Sequence, residues 1–104
     1  MRDGPVKGNL DLLLMGVLRR GPAHGYAIIA TLRERSNGEF AFAEGTIYPA
    51  LHRLEKAGLI TSSVELAQGR RRRTYALTSR GEREFATQQR AWHGFVANMQ
   101  AVLA

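Results

Sequence analysis

Apolar residues recur at helical spacing in four stretches of the chain and alternate at strand spacing in one. From Asn9, suited to an N-cap, Leu10, Leu13, Leu14, Val17 and Leu18 repeat at three and four residues until Gly21 and Pro22 stop the pattern. Leu12 and Met15 make this first helix apolar nearly all round, as expected of a central buried helix. A second helix is predicted from about His24 to Arg35. It turns Ile28, Ile29 and Leu32 inward and Arg33 and Glu34 outward, and it ends at Asn37 and Gly38.

After the bridge GEFAF comes EGTIYPALHRLEKAGLI, residues 44 to 60, which predicts a third helix. At about 100° per residue, Ile47, Leu51 and Leu54 fall in one narrow sector with Ala50 and Ala57 beside it, and Gly58 supplies a C-terminal stop. Gly45, Pro49, His52 and Lys56 lie opposite, with Tyr48 and Arg53 on the shoulders. This places Tyr48 away from the core, although a shoulder position can also lean inward. Pro49 is expected within the first turn or so, where a missing N–H costs little because the first amides of a helix have no intrahelical partner.

LITSSVELA and RRTYALT then read as two strands joined at AQGR, with Tyr75 and Leu77 alternating against Thr74, Ala76 and Thr78. Thr78 or Ser79 can cap a last helix with Glu82 and Glu84 near its positive end, continuing through Phe85, Trp92, Phe95, Val96, Met99, Val102 and Leu103. Residues 1–8, with Gly4, Pro5 and Gly8, read as a loose arm. The expected architecture is mainly α with a small β-hairpin, an α+β winged helix-turn-helix over residues 9–78 followed by a long helix over 79–104.

At 104 residues the chain is one ordinary domain. It has no cysteine, which excludes disulfides and thiolate metal sites, and its three histidines are scattered. His52 and His93 lack the acid or nucleophile of a catalytic set, and His24 reads as a helix-start residue. No catalytic residue, metal ligand or cofactor is expected. Leu12 to Leu18 is too short to span a bilayer and is flanked by Asp11, Arg19 and Arg20, so a cytoplasmic protein without a membrane partner is expected.

Charge sharpens the picture. Fifteen basic against nine acidic residues leave a net charge of +6, and Arg70, Arg71, Arg72 and Arg73 stand together at the hairpin tip and second strand. Such a focus suits a polyanion, and a basic wing beside a third helix suits duplex DNA. Gly45 and Pro49 keep the exposed face thin for close approach, while Thr46, Tyr48, His52 and Arg53 can donate to phosphates or base edges. The helix N-terminus adds anion affinity.

The phrases LDLLLMGVLRRGPAHGYAI at 10–28, GTIYPALHRLEKAGLI at 45–60 and GRRRRTYALTSRG at 69–81 resemble the PadR-like family of bacterial transcriptional regulators. The resemblance implies that Thr46, Tyr48 and Pro49 belong to the recognition helix, that Tyr26 of the HGY phrase lies near the DNA backbone, and that the arginines form the wing. Ala43 and Glu44 depart from the polar residue and proline usual before GT, so a side-chain cap is lost. It further implies a homodimer built through the C-terminal helix, in a small subclass with one such helix.

The last helix independently favours a partner. About 25 residues make roughly 37 Å, more than a domain of this size usually covers, and Phe85, Gln89, Trp92, Phe95, Val96 and Met99 repeat like a packing seam. A dimer calls for a pseudo-palindromic operator with half-sites about one helical turn, ~10 bp, or a multiple apart. Trp92, Phe95, Val96 and Met99 admit two readings, a dimer core or a cavity for a flat aromatic or drug-like effector. The function expected is a sequence-specific regulator, a repressor relieved by a small molecule. The competing reading is a winged-helix module that binds protein, which would call for an acidic or apolar surface on the third helix.

Overall fold

The computed structural model describes residues 9–104; the predicted arm at 1–8 lies outside them. Helix α1 spans Leu10–Leu18, strand β1 Ala23–His24, helix α2 Gly25–Arg35, helix α3 Glu44–Lys56, strands β2 and β3 Ile60–Ala67 and Arg70–Leu77, and helix α4 Ser79–Leu103. The sheet is antiparallel with order β1-β3-β2. It therefore has one strand more than the predicted hairpin. Ala23 and His24 pair with Tyr75 and Thr74, and two residues are too few to show alternation in a sequence.

Local rules account for most boundaries. His24 starts α2, its Nδ1 accepting the Ala27 amide at 3.3 Å. Asn37, at φ 55°, ends that helix with paired bonds from Asn37 N to the Glu34 carbonyl and Gly38 N to the Arg33 carbonyl. The same device ends α3, where Gly58 at φ 80° lets the Gly58 and Leu59 amides reach the Glu55 and Leu54 carbonyls, both at 3.0 Å. Thr78 caps α4, its hydroxyl oxygen accepting the Gly81 amide at 3.0 Å.

The core lies between α1, α2, α3 and the sheet, with Leu14, Met15, Ile28, Ile47, Leu51 and Ile60 fully buried. Apolar burial of this kind is the main favourable term holding the three helices together. Helix α1 is not buried all round within one chain. Its second face, with Leu12, Leu13, Gly16 and Val17, walls an open groove of about 790 Å³ shared with α2 and α4.

Two close approaches fix α4. A Cβ on Gly16 would lie 3.3 Å from the Phe85 ring, and one on Gly81 would lie 2.0 Å from the Leu59 carbonyl oxygen. The first turns of α4 thus press on α1 and on the junction between α3 and β2. Beyond Phe85 the helix runs largely exposed. Among the described residues no helix is long and apolar enough to cross a membrane.

Candidate nucleic-acid interface

Helix α3 presents Gly45, Pro49, His52 and Lys56 to the outside, with Thr46 and Arg53 exposed on one flank. Ala43 occupies its N-cap without a side-chain bond, as expected from the lost polar residue, and exposed Glu44 sits in the first turn, where the helix dipole favours an acid. Pro49 does not lie in that first turn. With Ala43 as N-cap it is the sixth helical residue, so its missing amide deprives the Gly45 carbonyl of its usual partner. The helix accepts this on its exposed face, where solvent reaches the carbonyl.

Tyr48 departs most from the helical-wheel expectation. Its side chain is half-buried and packs on the core, with the hydroxyl directed at Gly25, where an added Cβ would meet the oxygen at 2.1 Å. Its pKa is raised, first by burial and then by Tyr26, Glu44 and Tyr75 nearby. Shoulder positions on a wheel are ambiguous, and here the bare backbone of Gly25 leaves the space that draws the ring inward. Tyr26, the next residue, stands exposed.

Arg53 is paired with Asp11 of α1. Both side chains are partly exposed, so the pair can exchange with solvent or another anion. Neither periodicity nor spacing announced this contact.

The wing is a tight hairpin with Gln68 and Gly69, both at positive φ, as its two-residue turn. Its register sorts the arginines. Arg71 faces Leu66 and Arg73 faces Val64 on the side that continues to Tyr75 and Ser62, whereas Arg70 and Arg72 share the other side with Ala67 and Glu65. A chain of hydrogen bonds ties the first side to α3: Arg73 donates to the Ser62 hydroxyl at 3.0 Å, and Ser62 donates to the Glu55 carboxylate at 2.7 Å. The cationic strand and the exposed helix are thereby braced as one unit.

On α4, Trp92, Phe95 and Met99 are exposed and Val96 is half-buried. The Trp92 and Phe95 rings lie 6.0 Å apart. Trp92 also reaches the groove walled by Leu12, Leu13, Phe40 and Phe85.

A family profile described as the transcriptional regulator PadR-like family matches residues 14–87. The fold is shared with a PadR family transcription regulator from Clostridium difficile, 33% identical, with a TM-score of 0.83 and coverage of 92% of this chain and 99% of that one. A transcriptional regulator from Clostridium thermocellum superposes with a TM-score of 0.87 at 25% identity, over 97% of this chain and 96% of that one. A transcriptional regulator of Mycobacterium tuberculosis is 39% identical over 59 residues, which are 57% of this chain and 55% of that protein. The match thus spans about half of that relative's length.

Proposed function

The chain belongs to the PadR-like family of transcriptional regulators, and from that membership we propose that this DNA-binding regulator works as a homodimeric repressor relieved by a small molecule. Residues 9–78 form the DNA-binding unit and 79–104 the dimerisation helix. Recognition helix α3 enters the major groove through Gly45, Thr46, Pro49 and His52, with Tyr26 and Arg53 at its margins and Tyr48 setting its seat on α2. The wing arginines Arg70, Arg71, Arg72 and Arg73 neutralise phosphate, those on the α3 side most directly.

One observation supports this division above the others. The Glu55–Ser62–Arg73 chain braces the basic strand beside the exposed face of α3, so one rigid element can grip a backbone while its neighbour reads base edges. The apolar stripe of Trp92, Phe95 and Met99 calls for a cover, and a second copy placing its own α4 across the groove beside α1 supplies one. A flat effector at Trp92 would act by shifting the geometry of that pair. Occupying a promoter then requires no chemistry and takes place in the cytoplasm.

The test is titration of the purified protein against random and promoter-derived duplexes over a salt series. Log affinity should fall linearly with log salt, with a slope set by the number of phosphates neutralised. A slope near zero would remove the wing arginines from the mechanism.

A further inference from the structure

The wing holds two apolar side chains that no packing within the chain explains. Leu66 is 78% exposed and Val64 45% exposed, on strand β2 of a ribbon otherwise dominated by arginine. The register sets Leu66 opposite Arg71 and Val64 opposite Arg73, so on one surface an apolar row on β2 lies beside a cationic row on β3. That surface is the one tied to α3 through Ser62 and Glu55. Its other side presents Ser63, Glu65 and Ala67 across from Arg70, Arg72 and Thr74, with Glu65 accepting a bond from Thr74 at 2.9 Å.

We infer that Leu66, supported by Val64, is an apolar wedge by which the wing grips the minor groove next to the groove entered by α3, adding a preference for deformable DNA. This rests on the DNA-binding reading above and deepens it. Four residues of strand, about 13 Å, separate Ser62 at the α3 contact from Leu66 near the tip. A major groove is about 12 Å wide, so that reach carries the tip over one phosphate ridge. There Arg71 and Arg73 meet the phosphates, and Leu66 meets the sugar walls and the edge of a base step. Minor-groove walls are apolar and bordered by anionic rims, which suits an apolar row flanked by a cationic one. A wedge gains most where stacking yields easily, at TA steps rather than in stiff A-tracts.

The experiment compares the full-length protein, Leu66→Thr and Arg71→Ala on two duplexes of equal A·T content, one rich in TA steps and one built of A-tracts, each over a salt series. Threonine is chosen because it preserves strand propensity. The wild type should favour the TA-rich duplex. Leu66→Thr should bind it about tenfold more weakly, with an unchanged salt slope and a diminished ratio between the duplexes. Arg71→Ala should instead lower the slope by about one. Equal affinity and an equal ratio for Leu66→Thr would overturn the inference while leaving the DNA reading intact. A wild type that binds neither duplex overturns both. A Leu66→Thr protein whose sedimentation shifts toward monomer would assign the patch to a second copy and refute the wedge.

Discussion

The Tyr48 hydroxyl of α3 rests over the backbone of Gly25, so closely that a methyl group on Gly25 would meet the oxygen at 2.1 Å. Gly25→Ala must therefore move the ring or separate α2 from α3. Overpacking of this kind costs about 1–3 kcal/mol. Chemical denaturation should show a lower midpoint with an unchanged m-value, and discrimination between duplexes should fall because α3 loses its seat.

The same burial predicts an alkaline limb. Tyr48 and Tyr75 both have raised pKa values, burial being the first cause in each, with Arg73 opposing it at Tyr75. A group whose folded pKa lies above its unfolded value contributes stability that is complete below the ordinary tyrosine pKa of 10.0 and disappears as pH rises through the folded one. Stability should decline above about pH 10. Tyr48→Phe, which keeps the ring, should make that decline shallower in thermal melts taken across the range. An identical decline would show that the hydroxyl ionises equally in both states.

Wing arginines should not be equivalent. Arg71 lies on the α3 side of the ribbon and Arg72 on the other, so Arg71→Ala should reduce the salt slope by about one and Arg72→Ala by less. Neither should alter discrimination among sequences. Equal slopes for both variants would mean that the two sides of the wing meet DNA alike.

Asp11 restrains Arg53. In Asp11→Asn the guanidinium is released toward phosphate, and affinity for any duplex should rise on the order of threefold. Exposed pairs contribute only about 0–1 kcal/mol to folding, so the melting temperature should barely change. A fall in affinity would show that Asp11 aims the arginine rather than withholding it.

Much of this was legible beforehand. The three-residue and four-residue spacing of Ile47, Ala50, Leu51 and Leu54 fixed which side of α3 is buried, and the αL glycine at 58 ended it where the pattern stopped. The exposed face of Gly45, Pro49 and His52 followed by subtraction. Relationships between elements were not legible. Asp11 and Arg53 are 42 residues apart, and no local rule joins them. The inward turn of Tyr48 depends on room at Gly25, a property of the neighbouring helix that a wheel drawn for one helix omits. Pro49 was misplaced because the N-cap lay at Ala43, whose side chain gives no capping signal. The exposure of Val64 and Leu66 was hidden by their strand propensity, which describes how a side chain fits a pleated surface and says nothing about whether a partner surface covers it.

Charged substitutions on α4 should separate self-association from folding. Trp92→Glu with Phe95→Glu alters side chains that are exposed in the single chain. The variant should sediment as a monomer, and its melting temperature should lose the rise with protein concentration expected of the wild type. Duplex affinity should drop as two linked contacts become one. Unchanged sedimentation would mean that the stripe is not where copies meet.

The carbonyl of Leu59 sits directly beneath Gly81, with no space for even a methyl group between them. The long terminal rod is consequently seated on the joint where α3 gives way to the ribbon. On the proposed reading, a tilt imposed far out near Met99 arrives at that joint as leverage and turns helix and ribbon together, because the Glu55–Ser62–Arg73 chain holds them as one piece.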